Sequence, residues 1–154
     1  MQLVYFLLAT AIGLVIPLQA AVNNHVRLLI GGSAVLAALV SFGVGTLTLA
    51  IAALLSGQRW AGLANLSNAS AWQLGGGILG AFFVFGSTLI APRIGVAAMI
   101  SLIIAGQVCA SLLFDRFGLL GMPLREVGGW RLCGALLVVV GVALVNFGDR
   151  LPRV

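Results

Sequence analysis

The chain resolves into five apolar runs, each close to the ~20 residues that a helix needs to cross the hydrocarbon of a bilayer. The runs cover residues 2–22, 33–55, 72–91, 96–114 and 130–147. Every charged residue lies between these runs or at the end of one. A chain built this way has one economical solution. Each run becomes a helix that satisfies its own backbone hydrogen bonds, and lipid takes the place of water as solvent. The composition agrees: 7% of residues are charged and mean hydropathy is +1.21, against about 25% charge in a soluble domain. The expected fold is therefore an all-α integral membrane protein with five transmembrane helices. The 154 residues form a single five-helix membrane domain. Short connections use up the remaining length, and no linker or low-complexity segment separates a second unit.

The first run is similar to a signal peptide in length, and Leu18-Gln19-Ala20 loosely matches a cleavage site. No positive segment precedes it, so it is read as a retained span. Pro17 is expected to bend it, because proline removes a backbone donor. Residues 23–32, with His25 and Arg27, form the first connection, and 56–71 the longest polar one of the first half. Pro92-Arg93-Ile94-Gly95 reads as a tight turn, and 115–129 as the second longer loop. Trp60, Trp72 and Trp130 fall at or just outside span ends, where an indole keeps its ring in lipid and its N–H in water.

The net charge of +5 comes from eight arginines against three acids. They stand singly between apolar runs and form no basic patch that could release counterions from a nucleic acid. We read them as topology anchors. With five spans, Arg59, Arg116, Arg125 and Arg131 fall on the N-terminal side of the membrane, and Arg27, Arg93, Arg150 and Arg153 on the other. Orientation follows an excess of Lys and Arg on the cytoplasmic side, and here the excess is zero. The chain is thus expected to insert both ways and to pair head-to-tail with a second copy of itself, or with a close homologue. Such a pair is an inverted repeat, and many transporters hold substrate at an inverted-repeat interface near the bilayer midplane.

No constellation for covalent chemistry is visible. The chain has one histidine, no Walker loop, no dinucleotide fingerprint and no metal-ligand spacing. It is not expected to be an enzyme or to carry a cofactor or metal. Cys109 and Cys133 lie in apolar runs and read as buried thiols. Asn65-Leu66-Ser67 and Asn68-Ala69-Ser70 match the glycosylation acceptor pattern, which recurs by chance.

What the spans do hold is neutral polar groups. Gln19 and Asn23 share a helix face, and Gln107, Ser111 and Asp115 form a line at four-residue spacing. An amide in hydrocarbon costs free energy unless it is paired, so these groups must face another helix or a cavity. Gln19, Asn23, Gln107 and Ser111 are candidates for the lining of a substrate cavity. Interhelical bonding at about 0.6 kcal/mol each is the alternative. No carboxylate lies deep in a span, which leaves Asp115 as the candidate for ion or proton coupling. Ser87, Thr88 and Ser101 are weaker candidates, because hydroxyls in membrane helices bond back to their own backbone. Gly76 and Gly80 on span three, and Gly134, Gly141 and Gly148 at seven-residue intervals on span five, are candidate packing positions.

These residues also carry a resemblance. Pro17-Leu18-Gln19-Ala20-Ala21-Val22-Asn23, Ser41-Phe42-Gly43-Val44-Gly45-Thr46 and the segment from Gly75 to Val84 resemble the first three helix motifs of the YdcZ-type inner membrane exporters. Ala91-Pro92-Arg93-Ile94-Gly95, then Gly106-Gln107 and Asp115-Arg116-Phe117-Gly118-Leu119, are similar to the family's tight turn and fourth-helix end. The family belongs to the drug/metabolite transporter superfamily. The resemblance implies a bacterial inner-membrane protein made of a five-helix unit that occurs as antiparallel homodimers, as pairs or in fused form. It implies no particular substrate. One departure is Arg116, where relatives often carry histidine. That puts a proton role at this position in question.

The reading is a secondary transporter, exporting a small metabolite or drug-like compound through a midplane cavity between antiparallel chains. A dual-topology small-ion channel and a non-transporting partner subunit are the alternatives. Saturable, competable flux separates a carrier from a channel.

Overall fold

A computed structural model describes residues 2–148. Arg150 and Arg153, half of the arginine count on one side, and Asp149 lie outside the described residues. Five long helices are present, each long and apolar enough to cross a bilayer. They are α1 (Gln2–Leu29), α2 (Ala34–Leu55), α3 (Ala71–Ile94), α4 (Val96–Phe117) and α5 (Gly129–Phe147). Short 3-10 helices at Trp60–Asn68 and Leu119–Gly121 occupy the two longer connections. No strand occurs among the described residues.

The chain divides into two compact units, Met1–Arg93 and Ile94–Val154. In the first, α1 and α2 are neighbours joined by a short reversal. Its chemistry is local. Gly31 and Gly32 adopt φ of 82° and 88°, a region that side chains disfavour. The Gly32 amide closes back on the Arg27 carbonyl at 2.8 Å. Ser33 then starts α2, its Oγ accepting from the Leu36 amide at 3.2 Å, as an N-cap hydroxyl does. Arg27 lies in the last turn of α1, where a cation complements the helix dipole. Its Nε donates to Asn24 Oδ1 at 3.1 Å.

This reversal corrects one expectation. Residues 23–29 are helical and belong to α1 rather than to a connection. The helix ends where the glycines permit a turn, not where the apolar run ends. At 28 residues it is about 42 Å long, against a hydrocarbon core of about 30 Å, so one turn or more extends beyond the core. His25 lies on this part of α1 and is exposed.

A second correction concerns the turn at 92–95. Pro92 lies inside α3, which continues to Ile94. Only Gly95, at φ 86°, breaks the helix before α4 begins. Proline costs a backbone hydrogen bond, but a membrane helix tolerates that loss near its end. In the second unit, α4 and α5 pack together. Gly118 ends α4 in the left-handed conformation.

The apolar side chains face outward. Leu55 is 85% exposed and Trp130 is 92% exposed, and no residue of the most apolar stretch of α5 is buried. Surfaces of this kind need lipid or protein cover. The two cysteines are a third correction: both are free and exposed. Neither is covered by the rest of its own chain, so lipid or a second chain must do it.

Candidate substrate-binding site

In the first unit the buried residues repeat at helical spacing on three helices. They are Ala20 and Asn23 on α1, Ala34, Ala37 and Ala38 on α2, and Val84, Ser87, Thr88 and Ala91 on α3. The small side chains permit close approach of helices. Ser87 and Thr88 Oγ both donate to the Val84 carbonyl, at 3.1 and 2.8 Å, so the backbone of α3 itself satisfies them. Asn23 differs. It is 4% exposed, and its Nδ2 is buried without a hydrogen-bond partner, a cost of about 1–3 kcal/mol if nothing else meets it.

One turn back along α1, Gln19 is exposed and lines an open cleft of about 200 Å³. Ser41 and Thr46 of α2 share the cleft with it, and Phe42, Leu49 and Val84 form apolar walls. The cleft lies at the middle of α2 (Ala34–Leu55). Phe42 is held there by α3: a Cβ built on Gly80 would stand 3.2 Å from the ring's Cζ. A second cleft of about 520 Å³ shares Thr46 and Leu49 and extends to Arg59 and Trp60.

In the second unit, Gln107, Ser111 and Asp115 line up along α4. Ser111 Oγ donates to the Val108 carbonyl at 2.9 Å. Gln107 is exposed and has no hydrogen-bond partner among the described residues. Asp115 is held on both sides. Arg131 Nη1 donates to its Oδ2 at 3.0 Å, and the Arg125 amide donates to its carbonyl oxygen at 2.8 Å. Among the described residues, Asp115 is the only carboxylate within a helix. Asn146 Nδ2 links α5 to α4 by donating to Ser101 Oγ at 3.0 Å, and it also donates to the Val142 carbonyl at 2.8 Å.

Two things escape a reading of the sequence. Asn146 stands at the very end of the last apolar run, where an amide looks interfacial rather than interhelical. Ser41 and Thr46 look like hydroxyls bonded to their own helix, whereas neither side chain makes a hydrogen bond among the described residues. Of the candidate packing glycines, Gly80 meets Phe42, whereas Gly76, Gly134, Gly141 and Gly148 have no atom within 4 Å of an added Cβ. Among the described residues no group of three or more His, Cys, Asp or Glu could hold a metal ion.

A family model described as "Putative inner membrane exporter, YdcZ" matches residues 4–144. The chain is 36% identical over 141 residues to "Inner membrane protein YdcZ" of Escherichia coli (strain K12), a match covering 91% of each. No solved structure matches it.

Proposed function

The chain belongs to the YdcZ inner membrane exporter family, and on that premise we propose that it is a secondary transporter exporting a small metabolite or drug-like compound as an antiparallel homodimer. It is a multi-pass protein of the inner membrane. The observation that carries the proposal is that Gln19 and Gln107 are both exposed on the single chain and neither is hydrogen-bonded. An amide cannot face hydrocarbon cheaply. Each is therefore read as facing a cavity or a second copy, and both roles meet in a midplane site between two chains.

In this account Gln19, Asn23, Gln107 and Ser111 line the substrate path. Asp115 carries ion or proton coupling and leaves the Arg131 pair when it does so. Gly134, Gly141 and Gly148, open within their own chain, supply a seam for the second copy, whose opposite orientation follows from the balanced arginines.

The test works whatever the substrate is. Culture media of cells producing wild-type protein and Gln107→Leu are compared by untargeted metabolite profiling at matched membrane levels. The proposal expects at least one small compound enriched by the wild type and not by Gln107→Leu, with the dimer retained in both. Identical media would sink the exporter reading. Loss of the dimer along with the enrichment would make Gln107 a packing residue.

A further inference from the structure

The serine and threonine hydroxyls inside the five long helices divide into two sets. Thr10, Thr48, Ser87, Thr88, Ser101 and Ser111 each donate to a carbonyl three or four residues back. Ser41 and Thr46 make no hydrogen bond among the described residues. Those two line the cleft that Gln19 also lines, and Gln19 is likewise without a partner. A membrane helix satisfies its hydroxyls on its own backbone by default. The exceptions are gathered in one place, at the middle of α2.

We propose that Gln19, Ser41 and Thr46 form a subsite for an uncharged polar solute, one with an apolar body against Phe42, Leu49 and Val84 and a hydroxyl, amide or carbonyl group towards α1 and α2. Three features set this class. The lining holds no charged side chain, so an ion would enter hydrocarbon without a counter-charge, at high cost. The volume of about 200 Å³ lies below the ~300–1,000 Å³ of drug-sized pockets and equals the share of about seven waters. The solute, or the part of it held here, is therefore small. The adjoining cleft, through Thr46 and Leu49, leads to Arg59 and Trp60 near the end of the span. A cation arriving that way meets a guanidinium at the mouth, and an anion must leave that guanidinium behind. The subsite deepens the transporter reading and rests on it for its purpose, but not for its test.

The test reads access and charge selection directly. In a background with Cys109→Ala and Cys133→Ala, single cysteines are placed as Gln19→Cys, Ser41→Cys and Thr46→Cys. Thr48→Cys, on the same helix but bonded to its own backbone, is the buried-in-lipid control, and Ser67→Cys in the exposed 3-10 helix normalises the rates. Opened membranes are treated with uncharged N-ethylmaleimide, anionic sulfonatoethyl methanethiosulfonate or cationic trimethylammonioethyl methanethiosulfonate. A thiol reacts only as the thiolate, which needs water. The cleft cysteines are expected to react with the maleimide at least ~10-fold faster than Thr48→Cys, and with both charged reagents no faster than that control. Three positions guard against one variant failing to fold. If all three match Thr48→Cys with every reagent, there is no accessible cleft and the proposal fails. If the charged reagents react at the normalised rate of the maleimide, the selection for neutral solutes fails. Neither result touches the culture-medium test, and unchanged media with a reactive cleft would overturn the exporter reading alone.

Discussion

Arg131 in the first turn of α5 donates to Asp115 in the last turn of α4 at 3.0 Å, with the side chains 43% and 31% exposed. The pair fastens one end of the second unit, and it also occupies the only helical carboxylate among the described residues. At this exposure the attraction is screened, so the pair is worth about 0.5–1 kcal/mol.

Asp115→Asn separates the two roles without changing the arginine count that sets orientation. The protein should reach the membrane at near wild-type level and lose about 0.5–1 kcal/mol of stability in denaturant unfolding. Its export should no longer respond to an imposed proton gradient, measured in everted vesicles with whichever compound the medium comparison identifies. Export that still follows the gradient would leave Asp115 a pairing residue only.

Gly80 and Gly76 predict different outcomes. An alanine Cβ at Gly80 stands 3.2 Å from Phe42 Cζ, and Phe42 is 36% exposed, so the ring can yield by the few tenths of an ångström required. Gly80→Ala should therefore cost less than ~1 kcal/mol. Gly80→Leu should push the ring into the cleft and slow maleimide labelling of Ser41→Cys. Gly76→Ala meets open space and should be neutral or slightly stabilising in the monomer, since alanine favours helix. Loss of the dimer on chromatography of Gly76→Ala would place a second copy against that face.

Asn146 and Ser101 join α4 and α5 through one side-chain hydrogen bond of 3.0 Å. Asn146→Leu removes it, while Ser101 Oγ keeps its bond to the Ala98 carbonyl. Interhelical bonds in membranes average about 0.6 kcal/mol. A double-mutant cycle with Ser101→Ala, read by unfolding of the purified protein, should return a coupling of about that size. A coupling of zero would mean that the bond adds nothing over its membrane-unfolded state.

The five helices are legible in the sequence because their signal is length and hydropathy, and no soluble fold offers 18 or more apolar residues five times over. Their ends are less legible, because local chemistry decides them. α1 runs through Asn23, His25 and Arg27 until Gly31 and Gly32 allow a reversal, and α3 runs through Pro92 to stop at Gly95. The cysteines read as buried because apolar runs suggest a core, yet in a five-helix chain most of each helix faces outward. At the candidate site, Gln19 stands out as an amide in an apolar run, but Ser41 and Thr46 cannot be told from Thr48 by sequence. Whether a hydroxyl bonds to its own backbone is a matter of rotamer and neighbours, not of residue type.

The central claim is that both orientations coexist, because the antiparallel pair and its midplane site depend on it. In the background lacking Cys109 and Cys133, single cysteines are placed as Ser56→Cys, after α2, and Ile94→Cys, at the end of α3. Neither change alters the arginine count. Intact cells are treated with a membrane-impermeant maleimide, and the labelled fraction is measured against full labelling after lysis. The account predicts that each site labels to about half, since balanced arginines favour neither orientation. Complete labelling at one site with none at the other would contradict it: the chain would then have one fixed orientation, and no antiparallel homodimer could form.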